Sequence, residues 1–84
     1  MELFLISQSE NNDYDTYDSA VVCAPSETVA RNMNPRDGEP MTDKDWDYAY
    51  SSWCSSPDKV KVEHIGKALK GAKQGVVCAS FNAG

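Results

Sequence analysis

The sequence has no apolar run of the roughly 20 residues that a membrane-spanning helix needs. The longest apolar stretch near its start, residues 3–6, follows Glu2 and not the basic region of a signal peptide, so no signal peptide is predicted. Bases are also few, since eight Lys and Arg stand against thirteen Asp and Glu, for a net charge of −5. Because phosphate binding needs clustered bases, this balance argues against direct binding of nucleic acid.

Histidine and paired cysteines are scarce as well. The chain has one histidine, His64, and three widely spaced cysteines, Cys23, Cys54 and Cys78, with no C-x-x-C pair. An odd number of cysteines without an export signal favours reduced thiols in a cytosol. A closed zinc site needs four ligands, and nucleophilic catalysis needs a base and an oxyanion donor. The sequence therefore predicts no metal, no cofactor and no catalytic residue, and we do not expect an enzyme.

Two short helical segments lie between two pairs of segments that have the pattern of β-strands. Residues 3–7, 20–24, 59–65 and 75–81 are apolar or alternate between apolar and polar side chains. Ser26 and Thr42 are good N-caps, and each precedes an acidic first turn. Residues 8–18 predict a loop, and residues 66–75 a hairpin loop or the ends of the flanking strands. We expect a single α+β domain over residues 1–84, in which a three- or four-stranded antiparallel sheet packs against one or two short helices.

The extent of the helices and the residues of the core follow from proline, aromatic and small apolar positions. The first helix is expected to span about two turns before Pro35. In the second, Trp46, Tyr50 and Trp53 fall at i, i+4 and i+7, so we expect them to cover the sheet from one helical face. The sequence Val-Val-Cys-Ala occurs twice and predicts two strand interiors, in which the cysteines act as small hydrophobic residues.

The acidic residues are concentrated in the first two thirds of the chain. Residues 1–58 contain twelve acids and three bases, a net charge of −9, whereas residues 59–84 contain five lysines and one acid, a net charge of +4. All four tyrosines and both tryptophans lie in the acidic part, between residues 14 and 53. An acidic segment of this strength suits a basic partner, and aromatic side chains are enriched among interface hot spots. Solubility alone is the alternative explanation of the charge.

Carboxylates and tyrosines alternate in two places within this acidic part. The spacing Asp-x-Asp-x-x-Asp from residue 13 is that of a calcium loop, but the EF-hand glycine and glutamate positions hold Asp18 and Ala24, so calcium is not predicted. We expect a protein-binding surface instead, in which carboxylates pair with a partner's Lys and Arg and exposed tyrosines act as anchors. The predicted contact residues are Asp13, Tyr14, Asp15, Tyr17, Asp18, Asp43, Asp45, Asp47 and Tyr48. The five lysines after residue 58, without arginine or interleaved aromatics, predict a solvated face.

Three stretches of the chain resemble small phage- and prophage-encoded proteins: YDTYDSAVV at residues 14–22, the helix start at residues 26–31 and GVVCASFNAG at residues 75–84. As a small, acidic, single-domain protein of this kind, the chain resembles the anti-CRISPR inhibitors. Several of these combine an antiparallel sheet with one or two helices and cover DNA-binding sites of CRISPR effectors with acidic surfaces. The resemblance implies an inhibitor in the host cytoplasm, a monomer or weak dimer, that binds a subunit of a type I CRISPR–Cas effector complex and blocks target-DNA binding.

Two alternatives stay open at the level of sequence. The same surface fits a phage accessory protein that binds another host defence or regulatory protein. A small enzyme or ligand-binding protein built around Cys78 and His64 is the other, and it requires a pocket that is hard to form in a core of this size.

Overall fold

The computed structural model describes residues 1–83 and contains one antiparallel sheet of four strands. The strands are β1 (Glu2–Ser7), β2 (Thr16–Ala24), β3 (Lys61–Lys67) and β4 (Gly75–Asn82), in the spatial order β3-β1-β2-β4. Between β2 and β3 lie two short α-helices, α1 (Glu27–Arg31) and α2 (Asp43–Tyr48), and two 3-10 turns (Ala49–Ser51 and Pro57–Lys59). The expected α+β fold, with a four-stranded antiparallel sheet and short helices, is confirmed.

The strands β1 and β2 are adjacent at the centre of the sheet. The strands β3 and β4 follow each other in the chain but lie at opposite edges of the sheet, with β1 and β2 between them. The pairing of β1 with β2 is continuous from Glu2 opposite Ala24 to Ser7 opposite Ser19. Residues 68–74, the crossing segment, pass the end of the sheet at which β1 begins, and the amide of Ala68 donates to the carbonyl of Met1 at 3.2 Å. The prediction of a hairpin loop at residues 66–75 is therefore wrong, because the two strands of a hairpin must be adjacent in the sheet. Residues 66, 67 and 75 instead belong to the ends of the flanking strands, which was the alternative prediction for this segment.

The hydrophobic core covers one face of the sheet. Its members come from β1, β2, α1 and the segment before β3: Phe4, Ile6, Ala20, Val22, Ala24, Ala30, Met33, Trp53, Cys54 and Val60. Because successive side chains of a strand point to opposite faces, Leu3, Leu5, Val21 and Cys23 lie on the other face, outside this cluster. The helices thus cover one face of the sheet, whereas on the second face Leu3, Leu5 and Val21 are half-buried and Cys23 is buried.

Both helices begin where the caps predict and end earlier than the patterns predict. The Ser26 hydroxyl accepts a hydrogen bond from the Val29 amide at 3.3 Å, but α1 has only five residues. The chain then leaves the helix to form a turn in which the Asn34 amide donates to the carbonyl of Glu39 at 2.9 Å. The prediction of two turns is therefore too long, because this tertiary turn replaces the last helical hydrogen bonds.

The helical face predicted for Trp46, Tyr50 and Trp53 is wrong. α2 ends at Tyr48 and tightens into a 3-10 turn, and with three residues per turn the i, i+4, i+7 positions no longer share a face. Trp53 is buried and Trp46 is half-buried against the core, but Tyr50 is 51% exposed.

Two predictions about β2 and β4 are also corrected. β2 begins at Thr16 and not at residue 20, because its first residues pair with the end of β4. Tyr17, expected to be exposed, is half-buried against the core with its ring centroid 4.8 Å from that of Phe81. Cys78, expected in a strand interior, is exposed because β4 is an edge strand, whereas Cys23 in the central strand β2 is buried.

Candidate protein-binding surface

The acidic loop, residues 9–15, connects β1 to β2 and is held from inside by two buried amide side chains. The Gln8 side chain accepts from the amide of Asn11 at 2.8 Å and donates to the carbonyl oxygens of Asn11 at 2.8 Å and Tyr17 at 2.9 Å. The Asn11 side-chain oxygen accepts from the Asp13 amide at 3.3 Å, which is an Asx-turn. The loop closes at Asp15, whose φ of +61° lies in the left-handed region that Asp tolerates. This loop therefore has a defined conformation set by local hydrogen bonds.

The outer part of this loop rests on the end of β4. The Asp15 amide donates to the carbonyl of Asn82, and the Asn82 side chain donates to the carbonyl of Asp13 at 3.2 Å. These contacts use backbone atoms of the loop, so the carboxylates of Asp13 and Asp15 stay exposed, and Tyr14 between them is 73% exposed. Asp18, the next acid along β2, is also exposed and accepts from the Ser80 hydroxyl at 3.4 Å.

The second acidic stretch lies on α2, which buries none of its residues. Asp43, Asp47 and Tyr48 are exposed, Tyr48 to 73%. Asp45 is exposed too, but its carboxylate accepts from the amide of Thr42 at 2.8 Å and completes a capping box. This hydrogen bond holds the pKa of Asp45 below its usual value. Asp45 thus begins the helix as well as adding charge.

The structure places segment 49–55, which follows α2, beside the acidic loop. The Asn11 side chain donates to the carbonyl oxygens of Tyr50 and Trp53, the latter at 3.3 Å, and the Tyr17 amide donates to the carbonyl of Ser52 at 2.8 Å. Segment 49–55, which follows α2, is therefore hydrogen-bonded along the loop. Of the predicted contact residues on α2, Tyr48 directly precedes this segment, and Asp43 and Asp45 lie at the other end of the helix.

One acidic side chain at this junction was not among the predicted contact residues. The Glu10 carboxylate accepts from the amide of Ser55 at 2.7 Å, and this bond holds the pKa of Glu10 below its usual value. The residue is exposed and adds a further negative charge to the loop. No tyrosine is adjacent to Glu10 in the sequence, and the alternation of Asp with Tyr that defined the predicted surface therefore gave no signal for it.

The carboxylates of this surface form no ion pair with Lys or Arg within residues 1–83. The ion pair of that part of the chain joins Lys61 to Glu63 on β3 at 3.6 Å, and the His64 ring of β3 contacts the Glu2 carboxylate of β1 at 2.8 Å. The acidic loop therefore presents its negative charge to solvent without an ion pair, whereas α2 also carries Lys44, and Arg36 and Lys44 are close enough to Asp45 to contribute to its lowered pKa.

The pair of residues on which the enzyme alternative depends is not brought together. Cys78 lies on β4 and His64 on β3, at opposite edges of the sheet, and the His64 ring contacts Glu2. A cleft of about 240 Å³ lies elsewhere, between α2 and the loop before it. It is lined by Arg36, Lys44, Asp45, Tyr48 and Trp53, among others, and is smaller than the ~300–1,000 Å³ usual for small-molecule sites.

No family model, curated protein or solved structure matches this chain. Among residues 1–83, no helix combines the length and the apolar character needed to cross a membrane. In the same range, no three His, Cys, Asp or Glu side chains are grouped so that they could hold a metal ion.

Proposed function

We propose that this protein is a phage-encoded inhibitor that binds a type I CRISPR–Cas effector complex in the host cytoplasm and blocks the binding of target DNA. One observation supports the proposal most: the acidic loop and α2 expose carboxylates that form no ion pair within residues 1–83, and each of the two segments carries a tyrosine that is 73% exposed. The partner that such a surface fits carries clustered Lys and Arg, the residues that proteins use to hold DNA phosphates. The resemblance to anti-CRISPR inhibitors supports the choice of effector.

The proposed mechanism is competition for the same cations. A Lys or Arg side chain that pairs with Asp13 or Asp15 is no longer free to pair with a DNA phosphate, so the two ligands exclude each other. The loop that carries these carboxylates is fixed by the buried side chains of Gln8 and Asn11. A fixed loop loses less conformational entropy on binding than a disordered one, and more of the electrostatic attraction remains as affinity.

The exposed tyrosines supply the apolar part of the contact. Tyr14 and Tyr48 each carry a large ring with few rotatable bonds and a hydroxyl group, which is the chemistry enriched among hot spots. Tyr17 lies half-buried between the core and Phe81 and supports the surface from inside. Tyr14 and Tyr48 are therefore the expected anchors, and Tyr17 is a positioning residue.

Competition with labelled target DNA on purified type I effector complexes tests the proposal. The wild-type protein is expected to displace DNA, and the double variant Asp13→Asn, Asp15→Asn is expected to displace it much less. The matched control is Glu27→Gln with Glu63→Gln, which also removes two negative charges, but from α1 and β3, outside the candidate surface. If the wild type neither binds an effector nor displaces DNA, or if both double variants inhibit equally, the proposal is wrong. Capture of a different host defence or regulatory protein by the same carboxylates would favour the accessory-protein alternative.

A further inference from the structure

The cleft beside α2 is bounded by three segments that backbone hydrogen bonds hold in place. In the loop before α2, the amide of Met41 donates to the carbonyl of Asn32 at 2.7 Å. The capping box fixes the start of α2 itself. In segment 49–55, the amide of Trp53 donates to the carbonyl of Ala49 at 2.7 Å. The walls are therefore formed before any ligand binds, which lowers the entropic cost of binding.

The cleft is lined by more cations than carboxylates. Arg36 and Lys44 both line it, and neither forms an ion pair within residues 1–83. Of the three aspartates on α2, only Asp45 lines the cleft, and its carboxylate accepts from the amide of Thr42 at 2.8 Å. Two cations against one carboxylate leave the cleft positive, although the whole chain is negative.

A buried donor in the wall of the cleft lacks an acceptor. Trp53 lines the cleft and is only 2% exposed, and its Nε1 has no hydrogen-bond partner within residues 1–83. It is the one buried side-chain nitrogen or oxygen of those residues without a partner. Buried polar groups rarely go unpaired, because the lost hydrogen bond to water costs free energy. Since an indole N–H only donates, the missing partner is an acceptor.

These donors fit a phosphate better than a carboxylate. The guanidinium of Arg36, the ammonium of Lys44 and the indole N–H of Trp53 come from the three different walls of the cleft. A phosphomonoester offers three terminal oxygens and a charge of about −1.5 to −2 at neutral pH. A carboxylate offers two oxygens and a single charge. Three separate donors therefore favour the ligand with three oxygens.

The rest of the lining is suited to a small organic group. Pro35, Met41 and Ala49 contribute apolar atoms, and the ring of Tyr48 lies at the cleft with most of its surface exposed. The volume of about 240 Å³ is below that of sites for drug-sized ligands, so it limits the organic part to about one ring.

We propose that this cleft binds a small phosphomonoester. Its phosphate pairs with Arg36 and Lys44 and supplies the acceptor that Trp53 lacks, and its organic part packs against Tyr48. The net charge of the chain does not prevent this binding, because exposed charges more than about 8 Å away are largely screened at physiological ionic strength. The site requires no effector complex, and its test is therefore separate from that of the proposed function.

Titration of the ¹⁵N-labelled full chain with phenyl phosphate, at constant ionic strength, tests the site by NMR. The indole N–H cross-peak of Trp53 is expected to shift and to saturate at millimolar ligand. The cross-peak of Trp46 is the internal control and is expected to stay, because Trp46 does not line the cleft. No saturable shift of the Trp53 cross-peak, or equal shifts of both cross-peaks, would overturn the proposal.

Charge removal tests the position of the phosphate. Arg36→Gln and Lys44→Gln are each expected to weaken the binding of phenyl phosphate about tenfold, because each removes a charged hydrogen-bond donor. Both residues are exposed, so the variants are expected to fold, as circular dichroism checks. The matched control Lys70→Gln removes the same charge from the crossing segment and is expected to bind like the wild type. Equal affinities of all three variants would show that the phosphate does not lie in the cleft.

Two further ligands test the chemical class. Benzoate keeps the ring of phenyl phosphate but replaces the phosphate by a carboxylate, and inorganic phosphate lacks the ring. Both are expected to shift the Trp53 cross-peak only at higher concentration than phenyl phosphate does. Benzoate that binds as tightly as phenyl phosphate would overturn the assignment to a phosphate. Inorganic phosphate that binds as tightly would overturn the contact between the organic part and Tyr48.

Discussion

The backbone amide of Tyr17 donates to the carbonyl oxygen of Ser52 at 2.8 Å, and this bond joins the first residues of β2 to the segment that follows α2. The acidic loop and the segment that follows the acidic helix α2 thereby meet at one junction. The buried Asn11 side chain reinforces the junction through the carbonyl oxygens of Tyr50 and Trp53. The position of the candidate surface thus depends on a few hydrogen bonds to backbone carbonyls.

Replacing Asn11 by alanine is expected to lower the free energy of unfolding by about 2 kcal/mol, because the carbonyl oxygens of Tyr50 and Trp53 lose the buried amide that donates to them. Urea denaturation followed by circular dichroism measures the change. The control is Asn12→Ala, because Asn12 is exposed and donates only to the Ser9 carbonyl, and a change within about 0.5 kcal/mol is expected. Equal losses in the two variants would show that Asn11 does not hold the junction.

The capping box of α2 is expected to make the helix sensitive to acid. The amide of Thr42 holds the pKa of Asp45 below its usual value, and the Thr42 hydroxyl contributes a smaller part. Because the folded pKa is lower than the unfolded one, the contribution to stability is complete above about pH 4 and is lost as pH falls through the folded pKa. Thr42→Val keeps the amide and removes the hydroxyl, so it is expected to raise the pKa of Asp45 part of the way to its usual value, as measured by NMR titration.

Asp58 provides an internal control for that titration. Its pKa is also held below the usual value, but by the Ser56 hydroxyl, which is independent of Thr42. The pKa of Asp58 is therefore expected to stay constant in Thr42→Val. A pKa of Asp45 that stays equally constant would contradict the role of the capping box.

The three cysteines are expected to differ in reactivity. Cys78 is exposed on β4, whereas Cys23 and Cys54 are buried, and burial raises the pKa of the Cys54 thiol to about 11. Since the thiolate is the reactive form, iodoacetamide is expected to modify Cys78 alone in the dilute native protein, and all three after unfolding. Mass spectrometry identifies the modified residue, and Cys78→Ser is expected to leave the native protein unlabelled. Equally rapid native labelling of Cys23 or Cys54 would contradict the packing described.

Features with local causes could be predicted from the sequence. The apolar run of β1 and the caps Ser26 and Thr42 each depend on neighbouring residues, and each lies where the pattern predicts. The end of α2 could not be predicted, because it depends on the hydrogen bonds between segment 49–55 and Asn11. The twin Val-Val-Cys-Ala sequences have the same local pattern, and only strand order makes one central and the other an edge.

The candidate surface could be predicted in part. Tyr14 and Tyr48 are exposed as expected, because each is flanked by acids and lies off any apolar stripe. Tyr17 has the same kind of neighbours, but pairing between β2 and β4 turns its ring towards Phe81 and the core. Asp45 gains a capping role that its charge alone does not reveal.

Binding to a purified type I effector complex at a series of salt concentrations separates an electrostatic contact from an apolar one. If the carboxylates of Asp13 and Asp15 replace DNA phosphates on the effector, affinity should fall steeply as salt rises. The variant Asp13→Asn, Asp15→Asn should bind more weakly, with a shallower salt dependence, whereas Glu27→Gln with Glu63→Gln should keep the wild-type slope. An affinity that does not change with salt, or equal slopes in the wild type and the Asp13, Asp15 variant, would contradict an acidic surface that competes with DNA.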